Sequence, residues 1–288
     1  MSTKLHPDIK LGLVKLKVSD LERSIRFYQE VVGLKVLQAN PKQAELTVDG
    51  HTPFLTLTEI PQAQILPRRS AAGLYHFAIL LPTRRDLGLS LRNLIQSGIH
   101  IGQADHLVSE ALYIADPDNN GIEIYCDRPK EMWRRDAEGN YLMASDPIDW
   151  DGLLSEAEGH EWNGLPAGTT MGHIHFHVKD LQTSKHFYCD ILGFDIVADA
   201  AAAMRALFIS AGGYHHHIGM NLWAGQDAPL PPANGTGLEY YTIVFPNSEE
   251  RKHARERLQQ AGYTVTEQDH AFVVIDPSGV QLRMITAI

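Results

Sequence analysis

The chain has 288 residues, 44% hydrophobic and 21% charged, which suits a globular protein of two domains or four small units. A net charge of −10 argues against nucleic acid or an anionic membrane as the main partner, and no apolar run approaches the roughly 20 residues of a membrane span. The start, MSTKLHPDIKLGLVKL, carries no signal-peptide core, and Cys126 and Cys189 form no motif, so a reducing, cytoplasmic setting is expected.

The first element, GLVKLKV, alternates apolar and basic residues as a strand does. Asp20 is placed to cap a helix, LERSIRFYQEVV, whose apolar residues fall at helical spacing and whose end is marked by Gly33. KVLQA, QAELTV and PFLTLTEI then read as three strands, so residues 10–60 form a βαβββ unit. The same order recurs over residues 73–126: strand YHFAILL, helix RRDLGLSLRNLIQSG, and strands HIGQADHL, EALYIAD and GIEIYC. Residues 130–168, rich in Trp, Asp, Gly and Glu, read as a long linker, and residues 171–224 and 237–288 supply two more units.

The units are repeats of one another. Asp20, Ser24, Phe27, Tyr28 and Gly33 recur 160 residues later as Asp180, Ser184, Phe187, Tyr188 and Gly193. GLYHFAILLP at Gly73 matches GLEYYTIVFP at Gly237, and IADPDNNGIEIY at Ile114 matches VIDPSGVQLRM at Val274. Chain order suggests an N-terminal pair of units within 1–129, the linker 130–168, and a C-terminal pair within 169–288.

Four βαβββ modules in two pairs resemble the vicinal oxygen chelate superfamily, which includes glyoxalase I, the fosfomycin-resistance proteins and the extradiol ring-cleaving dioxygenases. The resemblance implies an α+β fold, with modules pairing into two cup-shaped mixed-sheet barrels (the glyoxalase/extradiol dioxygenase fold). It also implies a metal on the inner face, held from the first and last strands of a module. The first-strand positions are Leu13, His76, His173 and Tyr240, and the last-strand positions fall on Glu123 and Gln281 and near Thr56 and Asn221. Modules one and four thus offer no good ligands. Modules two and three offer His76, Glu123 and His173, the two-histidine, one-carboxylate set of non-haem Fe(II) oxygenases. Three protein ligands on an octahedral ion leave room for a chelating catechol and O2. An alignment slip of two residues would replace His173 by His175.

A second motif narrows the resemblance. Extradiol dioxygenases carry a His, five to seven residues, an apolar-Tyr pair, two residues, Asp-Pro, then Glu. This chain has His106, Leu112-Tyr113, Asp116-Pro117 and Glu123 in that spacing. It departs at Asn119, where Gly or Pro is usual, and at Ala104, where Gly or a β-branched residue is usual. The resemblance assigns Tyr113 a hydrogen bond to a substrate oxygen, with His106 beside it. Asp105-His106 is matched by Asp269-His270 in a ligand-free module, which equally fits a structural role. In such enzymes a histidine on the last strand of the single-ligand module works as acid and base beside O2. Within AGGYHHHIGMNLW, period-two alternation puts His215 and His217 on the face of Asn221 and turns His216 away, so His215 or His217 is expected in that role.

What the resemblance implies is an extradiol dioxygenase similar to the catechol 2,3-dioxygenase group. It would use Fe(II), or alternatively Mn(II), on a small aromatic diol and O2, without nucleic-acid or membrane partners and with a homo-oligomer left open. Two other functions suit the fold. A glyoxalase-type isomerase or thiol transferase would want a fourth protein ligand near Asn221, and a metal-free protein could bind an aromatic or antibiotic in the cup. Family dioxygenases carry their triad in modules three and four. With ligands in modules two and three, the site closes only if those two modules pair, within one chain or between chains.

Overall fold

The computed structural model describes residues 4–287. Residues 1–3, part of the start inspected for a signal core and of the 1–129 unit, and residue 288, the end of the 169–288 unit, lie outside the described residues. The first module holds β1 (Lys10–Val18), α1 (Leu21–Phe27), β2 (Lys35–Asn40), β3 (Gln43–Thr47) and β4 (Pro53–Glu59). The second holds β5 (Gly73–Leu81), α2 (Arg84–Ser97), β6 (Gly102–Asp105), β7 (Ser109–Ala115) and β8 (Gly121–Asp127). After α3 (Trp150–Glu156) come β9 (Thr170–His177), α4 (Leu181–Lys185), β10 (Asp195–Ala200), the short α5 (Ala201–Met204), β11 (Ala206–Ser210) and β12 (Ile218–Asn221). The fourth module holds β13 (Gly237–Phe245), α6 (Ser248–Gln260), β14 (Thr266–Gln268), β15 (Ala271–Ile275) and β16 (Gln281–Thr286).

Local chemistry accounts for these elements. Asp20 accepts a bond from the Arg23 backbone N–H at 2.9 Å and caps α1, as Asp180 caps α4. Each of these helices widens into a π-helical turn, Tyr28–Val32 and His186–Leu192, rather than continuing as the regular helix the spacing predicts. Both turns end at a glycine with positive φ, Gly33 at 92° and Gly193 at 100°.

The sheets do not follow chain order. Modules four and one form an eight-stranded sheet, β14-β15-β16-β13-β1-β4-β3-β2, and modules three and two form the other, β10-β11-β12-β9-β5-β8-β7-β6. First strands meet antiparallel at both centres, β1 with β13 and β5 with β9. Modules two and three therefore pair within one chain, and the 1–129 and 169–288 pairs are not the units that share a sheet. The reason lies in the connections: Gln62–Ala72 crosses from one sheet to the other, and residues 130–168 bring β9 back against β5. Chain-order neighbours are instead tied across the sheets, because the Tyr28 hydroxyl donates to Asp116 and the Tyr188 hydroxyl to Asp276, each at 2.9 Å.

One face of the β10–β6 sheet packs into the main core through Phe77, Ile79, Ile122, Ile124, Ile174, Phe176, Ile218 and Met220. Period-two alternation sends His76, Glu123, Tyr125, His173, His175 and His177 to the other, cup-lining face. Residues 130–168 are more than a linker. Beyond α3, they form a strap whose Trp133, Tyr141 and Ala144 reach the cup. Gly88 on α2 lets α3 come close, since a Cβ there would lie 2.1 Å from the Leu153 carbonyl oxygen. No described helix is long and apolar enough to cross a membrane.

Candidate metal centre

Strand register assembles the centre. Ala78 on β5 pairs with Glu123 on β8 and with His173 on β9, so both side chains flank one small residue. His76, two residues earlier on β5, leans over the same spot. The Oε2 atom of Glu123 lies 3.1 Å from Nε2 of His76 and 3.1 Å from Nε2 of His173, and the two Nε2 atoms are 3.3 Å apart. All three residues are at most 5% exposed. Among the described residues, they are the one group of three His, Cys, Asp or Glu side chains brought together this closely. The donor set fits a divalent ion. Bonds of about 2.1 Å at right angles would put neighbouring donors about 3.0 Å apart, close to the observed spacing. The Nδ1 atoms of both histidines are buried without a partner, so no hydrogen bond there competes for the orientation of the rings.

Burial by itself would push the Glu123 carboxyl up, but the imidazoles of His173 and His76 together hold it well below the usual carboxylate range. Burial pushes His173 down to about 4, outweighing its attraction to Glu123. A carboxylate with neutral imidazoles is the protonation state that ligates a metal.

The motif residues His106 and Tyr113 meet beside this cluster. Tyr113 is the cross-strand partner of Glu123, and its hydroxyl lies 2.6 Å from Nε2 of His106. Nδ1 of His106 lies 2.6 Å from the Ala144 carbonyl, which can only accept. The proton of a neutral His106 therefore sits on Nδ1, and Nε2 accepts from Tyr113. Burial, then the Glu123 charge, keeps Tyr113 protonated well past its ordinary range.

The histidine triplet departs from expectation. Strand β12 begins at Ile218, so residues 215–217 lie in the preceding loop and strand alternation does not apply to them. His216, expected to turn away, lies with its ring centroid 4.0 Å from that of His173. His215 is 6.2 Å from His173 and bonds Asp127 Oδ1 through Nε2 at 2.8 Å. Its Nδ1 lies 2.8 Å from Nδ1 of His216. His217 turns to Ser210, with its Nδ1 2.9 Å from the hydroxyl, and burial pushes it down to about 3. His216 and Asp127 are the residues the sequence reading missed. Nothing in the sequence distinguishes three adjacent histidines in a loop. His175, the alternative to His173, is held by Asn221 at 2.9 Å, and the Asn221 amide oxygen is 2.6 Å from His177. Asn221 is thus engaged away from the cluster and is no fourth ligand.

An inward-facing pair of histidines with one carboxylate, in a cup of paired βαβββ modules, is a donor set suited to one metal ion and has the architecture of the vicinal oxygen chelate class. The sequence matches the Glyoxalase/Bleomycin resistance protein/Dioxygenase superfamily over residues 10–124 and 170–284, and the chain belongs to that superfamily. It is 52% identical over 284 residues to catechol-2,3-dioxygenase of Bacillus subtilis (strain 168), covering 98% of this chain and 99% of that protein. It is 33% identical over 121 residues to biphenyl-2,3-diol 1,2-dioxygenase 3 of Rhodococcus globerulus, covering 41% of this chain and 63% of the relative. Among solved structures, glyoxalase I from Zea mays superposes with a TM-score of 0.57 at 16% identity, covering 97% of this chain and 92% of that one, a likeness of fold.

Proposed function

We propose that the protein is an extradiol dioxygenase that cleaves a catechol-type aromatic diol with O2 at a mononuclear non-haem metal, Fe(II) or alternatively Mn(II), held by His76, Glu123 and His173. The observation that carries this reading is the convergence of three buried donor atoms at 3.1–3.3 Å beside the His106–Tyr113 pair. The near full-length identity to a catechol-2,3-dioxygenase supports the same reaction. The glyoxalase alternative loses its support with Asn221 committed to His175 and His177.

When bound, the metal supplies Lewis acidity toward the two diol oxygens and electron exchange with O2. The protein's residues handle orientation and protons. Tyr113 donates to His106, so its oxygen faces the site as an acceptor for a substrate hydroxyl. Asp127 can only accept when ionised, so in the neutral tautomer His215 carries its proton on Nε2 and offers Nδ1 as an acceptor. His216 must then donate from Nδ1, which leaves its Nε2 lone pair as the base. Burial, then the neighbouring His173 and His215, holds His216 well below its ordinary range, so it meets the substrate neutral. It takes a hydroxyl proton and returns it to the oxygen that departs as the ring opens. A cytoplasmic setting accords with two free cysteines, Cys126 and Cys189.

The direct test is oxygen uptake and yellow product formation with catechol after anaerobic Fe(II) loading. Metal-loaded protein that consumes no oxygen with any catechol overturns the reading.

A further inference from the structure

The cup opens at the end nearest His177 into a cavity of about 460 Å³ that reaches His76 and Tyr113. That volume suits a small aromatic ligand. The crossover between the two sheets roofs it. This loop is pinned at Gln64, whose N–H donates to the Asn234 carbonyl at 2.8 Å, and at Ala72, whose N–H donates to the Pro229 carbonyl at 2.9 Å. The Asn119 side chain also donates to the Leu66 carbonyl at 3.0 Å. Between the pins stands Arg69, in a left-handed backbone conformation with φ of 59°. Such a conformation is costly for a side chain as large as arginine and persists where surroundings impose it.

The Arg69 guanidinium carbon sits 5.6 Å from the Trp223 ring centroid. Behind the cavity lining, Trp223 packs 5.1 Å from Tyr75, and Tyr75, which lines the cavity with Arg69, lies 4.9 Å from His76. Arg69, Tyr75 and His76 border one cavity, so a ligand held near His76 has room for a substituent that extends past Tyr75 toward Arg69. From the opposite sheet, half-buried Lys17 borders the same cavity. Among the described residues, no carboxylate comes within 4.0 Å of Arg69, its neighbour Arg68, or Lys17; Glu239, which attracts Lys17 from farther off, is paired with Lys15 at 3.2 Å, and Asp118, the acidic side chain on the lining, is taken by Arg23 at 2.7 Å and by Ser19 at 2.5 Å. The cavity is therefore cationic in a chain of net charge −10.

Resting on the dioxygenase reading, we propose that the diol carries an anionic substituent of the carboxylate class, recognised by Arg69 with Lys17 across the cavity. A guanidinium over an aromatic face presents its N–H groups to a carboxylate while the ring shields one side from water.

The test compares anaerobic binding, by calorimetry on the metal-loaded protein, of a catechol with a carboxymethyl group para to one hydroxyl and of its neutral methyl ester. Binding of the acid about tenfold tighter than the ester is expected, since one charge-assisted contact at a partly open site is worth about that factor. Arg69→Gln should bring the ratio toward one, and Lys17→Gln should lower it by a smaller factor. A wild-type ratio near one, or a ratio unmoved by both substitutions, overturns the proposal. Oxygen uptake with unsubstituted catechol is read separately. Its failure counts against the dioxygenase reading and leaves the binding ratio measurable.

Discussion

Two imidazoles meet one carboxylate oxygen at Glu123, and a neutral amide is a poorer ligand for a divalent ion. Glu123→Gln should weaken metal binding by about 10–100-fold or more, read as metal content after dialysis against a graded chelator. Full retention would remove Glu123 from the centre. Asp127 acts at one remove, through the hydrogen-bond direction it imposes. An asparagine there can donate to His215 Nε2, which reverses the chain and leaves a proton on Nε2 of His216. Asp127→Asn should lower kcat by about 100-fold with metal content unchanged. The 15N shifts of His216 should report the exchanged tautomer. Wild-type turnover in both Asp127→Asn and His216→Ala would leave the base unidentified. Tyr113→Phe should slow turnover by about tenfold, the worth of one hydrogen bond to a bound oxygen. Steady-state oxygen uptake checks it, and equal rates would confine His106 and Tyr113 to a structural role.

Among the elements, β5 carries the site because Ala78 is small and sits at its centre. It is fully buried beneath the cluster, in contact with Ala111 and Tyr125. Ala78→Leu would put added volume between Glu123 and His173, and overpacking costs about 1–3 kcal/mol. Metal affinity should fall more than stability does, measured by metal titration beside urea unfolding of the metal-free protein. An unchanged affinity would show that the floor of the site yields. The adjacent strand has a similar demand: a Cβ on Gly172 would lie 1.8 Å from the Tyr125 hydroxyl. Most elements were legible in the sequence, because Asp20, Thr83 and Asp180 act as caps over three residues and alternation acts over two. The strand alternation expected through His215–His217 was not, since Gly212 and Gly213 take positive φ and turn the chain before β12.

On the scale of the whole molecule, Asp116 and Asp276 clamp the two sheets together through Tyr28 and Tyr188. Burial pushes both carboxyls up to about 6, against the hydrogen bonds they accept. With the folded value above the unfolded one of about 4, the folded state holds its proton longer. This contribution to stability is complete below pH 4 and is lost as the pH rises through 6. Asp276→Asn removes the titration at a site away from the metal and keeps the amide oxygen as an acceptor. In the metal-free protein, wild type should lose about 2 kcal/mol relative to Asp276→Asn between pH 4 and pH 7, read by urea unfolding at both pH values. Parallel pH profiles for the two proteins would show that the clamp does not titrate in this window.

The sequence by itself determined the four-module repeat and the His106–Tyr113 spacing, and the family resemblance they carry pointed to His76, Glu123 and His173 as the candidate ligands. The elements within each module are written in caps and alternation that act over a few residues. Only the tertiary structure decided that β9 lies against β5, joining modules two and three, and that residues 130–168 are a strap supplying Ala144 to the site. Pairing between distant strands depends on register, loop closure and burial of a shared face, none of which a local pattern records. Likewise His216, rather than His215 or His217, is the member of the triplet that stands nearest to His173, and His215 is tied to Asp127, because a loop is shaped by what it packs against.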